Sequence, residues 1–149
     1  MRERPDHFYR QSAVIPYRFR HGKPEILLIT SRHKRRWVIP KGIIEPDLSP
    51  ADSAGKEALE EAGVEGRVGT EPIGRYQYDK WGGTCDVEVF VLEVDRVHDE
   101  WAEAHRQRLW LSPAEAADRV DEEGLRRLIH GFSTALGESG GDERSRDSG

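Results

Sequence analysis

The chain has a single cysteine, Cys85, and no hydrophobic run near the roughly 20 residues that a membrane-spanning helix requires. One cysteine excludes an internal disulfide and fits a reducing compartment. Cys85 stands in an apparent strand without a CxxC partner, so we expect a small buried side chain and not a nucleophile. The first residues, MRERPDHFYRQS, contain no apolar stretch typical of secretory signals. We therefore expect a cytoplasmic protein without a membrane segment.

An excess of positive charge is also missing. The formal net charge of −5 over 149 residues argues against a general nucleic-acid-binding protein, and the length fits one domain. The charge is unevenly distributed, however, because residues 31–37, SRHKRRW, are strongly basic and Lys41 follows shortly. An acidic stretch comes next. This order indicates a site that holds a metal ion on one side and phosphates on the other.

The acidic stretch is predicted to be a helix over about residues 50–62. Ser49 is a typical N-cap, Pro50 suits the first turn, and Asp52 stands at the acidic position of a capping box. Gly63 is a typical helix stop. Small residues suited to packing on a sheet share one face of this helix: Ala51, Ala54, Ala58 and Ala62.

Glu57, Glu60 and Glu61 are spaced i, i+3 and i+4, so their carboxylates share one face of this helix. Clustered carboxylates repel one another, and a hard divalent cation such as Mg²⁺ or Mn²⁺ relieves the repulsion through oxygen ligands. The alternative interpretation is a solvated acidic face, because charged runs are commonly surface.

The remaining pattern alternates strands and helices in one domain. Strands are predicted over residues 12–20, 25–30, 73–78, 84–94 and 108–111, and helices over 112–119 and 121–136. Pro16 favours an edge position or a bulge for the first strand. The run EILLIT over 25–30 indicates a buried central strand. Residues 138–149 are poor in apolar side chains and are predicted to be a flexible tail behind a domain of residues 1–137.

The segment from Gly42 to Val64 resembles the Nudix box, G-x5-E-x7-R-E-U-x-E-E-x-G-U. The spacing from Gly42 to Lys56 is that of the family, and KEALEEAGV over 56–64 retains almost all of the second half. The preceding Trp37, Pro40 and Lys41 strengthen the resemblance. It implies an α/β fold, the Nudix-type α/β/α sandwich with a mixed sheet, and hydrolysis of a diphosphate linkage.

Two positions depart from the box. Leu48 occupies the place of the first glutamate, and Lys56 replaces the arginine. Lys56 keeps a positive charge without a planar fork, and it is able to pair with Glu60 at i+4 or to orient a neighbouring carboxylate. Leu48, next to the N-cap, is a candidate hydrophobic staple. We expect altered anchoring of the loop more than a loss of metal binding.

The resemblance also implies roles for individual residues. Glu57 and Glu61 correspond to metal ligands, with a backbone carbonyl near Lys41 or Gly42 completing the site. Glu60 corresponds to the general base or to an additional ligand, and these two roles stay open. The implied cofactor is Mg²⁺, with Mn²⁺ as the substitute.

Within the family, residues 10–132 look like the branch acting on diphosphoinositol polyphosphates and dinucleoside polyphosphates. Basic residues at the positions of Arg10, Arg32 and Arg106 grip phosphates in that branch. Lys41 and Lys80 are further candidate phosphate contacts in this sequence. The expected partner is a small polyphosphate, with neither a membrane nor a nucleic acid.

Several other side chains allow two interpretations. His33 is either a phosphate contact or solvated surface, while His98 and His105 have no histidine partner at metal-binding spacing. Glu100 or Glu103 is either an extra catalytic glutamate or a solvated loop acid. Tyr78 and Trp81 suit stacking on a base or packing over the sheet.

The sequence leaves three functions open. The first is a metal-dependent pyrophosphohydrolase acting on a diphosphoinositol or diadenosine polyphosphate, which the basic residues 31–37 favour. The second is removal of pyrophosphate from RNA 5′ ends, which calls for a longer basic track than this acidic chain offers. The third is a Nudix-fold sensor that binds a nucleotide without cleaving it, suggested by Leu48 and Lys56.

Overall fold

The computed structural model describes residues 8–80 and 82–148, and the side chains of residues 9–80 and 82–136. The strands are β1 (Phe8–Arg20), β2 (Lys23–Thr30), β3 (Trp37–Val38), β4 (Lys41–Ile43), β5 (Val64–Val68), β6 (Gly74–Lys80), β7 (Gly83–Val97) and β8 (Arg108–Leu111). The helices are α1 (Pro50–Glu57), which continues as a π-helical turn (Ala58–Ala62), α2 (Pro113–Arg119) and α3 (Glu123–Ser148). Trp81, which was predicted to stack on a base or to pack over the sheet, lies outside the described residues.

The strands form one mixed sheet with β1 and β7 at its centre. These two long strands run parallel from the pair Phe8 and Thr84 to the pair Tyr17 and Glu93. Their other neighbours are antiparallel: β2 and β4 pair with β1, β5 and β6 pair with β7, and β3 and β8 pair with β2. The predicted mixed sheet is confirmed, and so is the antiparallel pairing of β6 with β7.

The predicted edge position of the first strand is wrong, because β1 lies in the interior of the sheet. Pro16 is tolerated there for a local reason. It is in register with Leu92 of β7. On the opposite side of β1, the registered pairs with β4 end at Ala13 and those with β2 begin at Tyr17. Pro16 thus falls in a gap between two partner strands, where a missing N–H breaks no ladder on that side.

Helices cover both faces of the sheet. On one face, α1 and its π-helical turn contribute Ala54, Ala58 and Ala62 to a buried cluster with Val14 and Phe90. On the other face α2 and α3 contribute a second cluster. Its fully or almost fully buried members include Ala13, Ile15, Leu28, Val87, Ala116, Leu125 and Ile129. The predicted α/β/α sandwich is therefore confirmed, with the alanine face of α1 against the sheet.

Of the other local predictions, the burial of Cys85 and the Ser112 cap are confirmed, and the end of the last helix is not. Cys85 is buried in β7, as expected. The Ser112 cap forms a full capping box with Glu115. Helix α3 continues beyond the predicted end near Leu136, to Ser148. Gly137, the next residue, does not force the helix to end, because a glycine weakens a helix by only about 1 kcal/mol relative to alanine. Within the described residues, no helix is long and apolar enough to cross a membrane.

Candidate active site

The acidic helix forms as predicted and ends in an unusual turn. Ser49 accepts a hydrogen bond from the backbone N–H of Asp52 at 3.0 Å and so caps α1. After Glu57 the helix widens into the π-helical turn, and Gly63 ends it with a φ of +67°. Single π turns are rare and occur frequently at functional sites. Here the turn carries Glu60 and Glu61.

Glu57 lies directly against the backbone of Gly42. A β-carbon placed on Gly42 would be 2.3 Å from Oε2 of Glu57, closer than real atoms approach. The absence of a side chain at Gly42 thus allows β4 and the end of α1 to meet. Gly42 and Glu57, which the sequence places 15 positions apart, occupy one site.

Glu61 is the second carboxylate at this place. The backbone N–H of Lys41 donates to Oε1 of Glu61 at 3.2 Å. Glu57 and Glu61 lie close enough together for the Glu61 charge to act on Glu57. Burial and the neighbouring Glu61 charge raise the pKa of Glu57 to about 8, and burial also raises the pKa of Glu61.

Arg106 and Glu103 approach the pair from the loop before β8. The Arg106 guanidinium contacts Glu103 at 2.8 Å and Glu61 at 3.9 Å. It also donates to the carbonyl of Thr30 at 2.9 Å, and the residue is only 9% exposed. Of the two loop glutamates considered above, Glu103 is the one whose charge reaches Glu57 and Glu61. Glu100 is exposed on the same loop.

The donor set suits a hard divalent ion. Among the described residues no three histidine, cysteine, aspartate or glutamate side chains are arranged as a complete metal-binding group. Mg²⁺ in phosphate-handling sites typically takes one or two carboxylates and completes its shell with water and substrate phosphates. Glu57 and Glu61 provide such a pair, and a cation would offset the repulsion that raises the pKa of Glu57. The carboxylates therefore fit a hard divalent ion.

Lys41 faces the side of the sheet covered by α3. It is in register with Ala13, which belongs to the core on that side. Its ammonium lies 5.2 Å from the centre of the Tyr78 ring, and Tyr78 donates to Gln11 at 2.8 Å. Burial lowers the pKa of Lys41; the charges of Glu122 and Glu61 oppose this lowering, and the charge of Lys80 adds to it. Lys41 thus lies beside Tyr78 in a region of mixed charge, with Lys80 close enough to act on it.

Arg10 and Arg32 lie farther out on the surface. Arg10 contacts Glu88 at 3.2 Å with its side chain 60% exposed. It also lines a cavity of about 610 Å³ together with Ile43 and Leu48. Arg32 is exposed in the basic loop after β2, and this loop is tied to the N-terminus of α3 by the Arg36–Glu122 ion pair at 3.2 Å.

The two departures from the box have defined surroundings. Lys56 forms its ion pair with Glu45 at 2.8 Å. Of the two roles considered for Lys56, this contact is the orientation of a neighbouring carboxylate, because its ion-pair partner is Glu45 of the loop before α1 and not Glu60. Leu48 lines the cavity next to Pro50. Position 56 thus still links the loop to α1, through Glu45.

Trp101 and Arg108 were not singled out from the sequence. The indole N–H of Trp101 donates to the backbone carbonyl of Glu61 at 3.0 Å. Arg108 stacks on the Trp101 ring at 3.9 Å and donates to the carbonyl of Ala62 at 3.2 Å. Only the fold brings these residues to the π-helical turn, since 40 residues separate Trp101 from Glu61 and 46 separate Arg108 from Ala62.

Comparison with known proteins agrees with this geometry. A family model described as the NUDIX domain matches residues 8–132. Nudix hydrolase 12, mitochondrial, from Arabidopsis thaliana is 30% identical, over 88% of this chain and 76% of that protein. Diphosphoinositol polyphosphate phosphohydrolase 3-alpha from Mus musculus is also 30% identical, over 91% of this chain and 87% of that protein.

Solved structures show the same fold. An Ap4A hydrolase from C. elegans in a binary complex superposes with a TM-score of 0.76 at 21% identity, covering 87% of this chain and 98% of the other. The sandwich, the paired glutamates at Gly42 and the family match lead to one assignment. The chain belongs to the Nudix family and is a Nudix pyrophosphohydrolase.

Proposed function

We propose that the chain is a Mg²⁺-dependent hydrolase of the diphosphate linkage in a small polyphosphate, such as a diphosphoinositol polyphosphate or a diadenosine polyphosphate. The observation that carries this proposal is the Glu57–Glu61 pair packed against Gly42. Burial raises the pKa of both partly buried carboxylates, so each is costly to ionise there without a cation beside it. Mn²⁺ has similar ligand preferences and is expected to substitute.

The reaction is attack of water on one phosphorus of the P–O–P linkage, with departure of the other phosphate. When bound, the divalent ion would neutralise charge on the attacked and leaving oxygens. Glu57 and Glu61 would hold it, with a carbonyl near Lys41 or Gly42. Glu60, on the same turn and partly exposed, is our candidate to take the proton from the attacking water.

The surrounding cations support a substrate with many phosphates. Lys41 and Lys80 lie together on the α3 side, and Arg10 and Arg32 are exposed at the surface. Arg106 contacts Glu61, Glu103 and the Thr30 carbonyl. We therefore propose that Arg106 contributes to phosphate binding mainly by holding these three residues in place. The relatives named above include proteins whose names specify diphosphoinositol polyphosphates and Ap4A.

The test is a hydrolysis screen over diphosphoinositol polyphosphates, diadenosine polyphosphates and 5′-triphosphate RNA, with Mg²⁺ and with Mn²⁺. Glu60→Gln and Glu61→Gln are the inactivating variants, and Glu100→Gln, on the exposed part of the loop, is the matched control. We expect Glu100→Gln to retain wild-type turnover and the other two to lose it. Wild-type turnover no higher than that of Glu60→Gln and Glu61→Gln on every substrate would refute the proposal.

Preferred cleavage of the RNA would instead favour removal of pyrophosphate from RNA 5′ ends. Magnesium-independent ligand binding without turnover would favour the sensor. A cytoplasmic location stays a prediction, and fluorescence microscopy of the tagged protein in its own cells tests it.

A further inference from the structure

The carboxyl end of the catalytic turn is held by the loop of residues 98–107 and the first residue of β8. The last carbonyls of a helix have no partner inside the helix and must find donors elsewhere. Here the carbonyls of residues 60–63 all receive donors from this region. In order along the turn, the donors are the Glu103 N–H at 3.0 Å, the Trp101 indole N–H at 3.0 Å, the Arg108 guanidinium at 3.2 Å and the His98 N–H at 2.8 Å.

Trp101 is the centre of this arrangement. Its ring packs on Gly63, where an added β-carbon would be 2.7 Å from Cγ of the indole. The Arg108 guanidinium lies over the ring at 3.9 Å from its centre and also donates to the carbonyl of His98 at 2.9 Å. The indole is therefore fixed between the helix end and β8, and its N–H is directed at the backbone of Glu61.

The turn needs such an external constraint. A π turn is rare and has an i→i+5 hydrogen-bond pattern, so the side chains on it are rotated relative to those of an α-helix. The N–H of Gly63 takes part in both patterns: it donates to the carbonyl of Ala58, as in a π-helix, and to the carbonyl of Leu59, as in an α-helix. Relaxation of the turn into the α pattern would turn Glu60 and Glu61 relative to Glu57.

We propose that Trp101 is a positioning residue for the catalytic glutamates: by donating to the Glu61 carbonyl and packing on Gly63, it keeps the π turn in place. Its catalytic consequence rests on the function proposed above. Its structural consequence, a stabilised turn at residues 58–63, is independent of any substrate.

The experiment removes the donor and keeps the ring. Trp101→Phe is the first variant, and site-specific replacement of Trp101 by 3-benzothienylalanine is the second, which retains the two-ring shape and lacks only the N–H. Trp110→Phe is the matched control, because Trp110 of β8 also lies under an arginine, Arg18 of β1, at 3.9 Å.

Four quantities are measured in each protein: amide hydrogen exchange of residues 58–63 without metal, Mn²⁺ binding by electron paramagnetic resonance, and kcat and KM for the best polyphosphate. Loss of one hydrogen bond predicts exchange at residues 58–63 that is about tenfold faster, and kcat lower by about the same factor, with KM within about twofold of wild type. Mn²⁺ binding weakens, and Trp110→Phe changes none of these.

The outcomes separate the two proposals. Faster exchange with unchanged kcat and Mn²⁺ binding would show a structural role alone and would overturn the positioning role. Unchanged exchange in the 3-benzothienylalanine protein would overturn it as well. If the wild-type protein cleaves no polyphosphate, the proposed function fails, and the exchange and Mn²⁺ measurements still decide whether Trp101 positions the glutamates.

Discussion

Glu57 occupies the space that a side chain on Gly42 would need, with its Oε2 only 2.3 Å from the position of a β-carbon at residue 42. The contact joins β4 to the last residue of α1. Any residue other than glycine at position 42 must displace the carboxylate, or the strand, or both. The position of Glu57, a candidate metal ligand on α1, thus depends on the absence of a side chain at Gly42 of β4.

Gly42→Ala is expected to weaken Mn²⁺ binding and to lower kcat by about two orders of magnitude, since a carboxylate moved by about 1 Å no longer holds the reacting groups in place. Overpacking should lower the free energy of unfolding by about 1–3 kcal/mol. The measurements are Mn²⁺ titration, kinetics and urea unfolding. Gly131→Ala, which has open space around the added β-carbon, is the control and should unfold no more easily than wild type.

Metal-free protein should become more stable as the pH falls from about 8 towards 5. The pKa of Glu57 is about 8 in the folded protein against an ordinary value of 4.5. Between these values the folded state holds a proton that the unfolded state has released, so acidification favours folding in this window. We expect the Tm measured in EDTA to rise more steeply in wild type than in Glu57→Gln as the pH is lowered. Identical pH slopes for the two proteins would contradict the raised pKa.

Gly63→Ala should destabilise the protein more than an ordinary loop substitution. Gly63 has a φ of +67°, which costs an alanine about 1–2 kcal/mol, and Trp101 leaves no room for its β-carbon. With the steric term, the free energy of unfolding should fall by about 2–4 kcal/mol. Gly22→Ala is the control, since Gly22 has a φ of +76° and open space. An equal decrease in the free energy of unfolding of the two variants, measured by urea unfolding, would mean that the contact with Trp101 adds no steric cost.

Arg106→Met should cost about 2–4 kcal/mol of the free energy of unfolding, because it leaves Glu61 and Glu103 without their cation in a partly buried site. Arg106→Lys keeps the charge but loses the fork of donors that also reaches the Thr30 carbonyl, so we expect a smaller loss. Thermal and urea unfolding check both variants. A greater loss in Arg106→Lys than in Arg106→Met would contradict the electrostatic role.

Local signals in the sequence were sufficient where the physical cause is itself local. Ser49 and Gly63 bound the acidic helix because capping and a left-handed stop act within a few residues. Strand β8 and helix α2 follow for the same reason. The sandwich and the family also followed from the sequence, through the resemblance at residues 42–64.

The sequence by itself determined the helix and its three glutamates, since these depend on periodicity and caps, and the resemblance to the Nudix box added Gly42 as part of the same site. Only the tertiary structure decided that β1 is central despite Pro16, that Lys56 pairs with Glu45, and that Trp101 holds the turn beneath Glu61. Each of these depends on which strands pair and which loops then meet. Such contacts join residues far apart in the chain, and hydrophobic periodicity specifies which face is buried without specifying the neighbour that covers it.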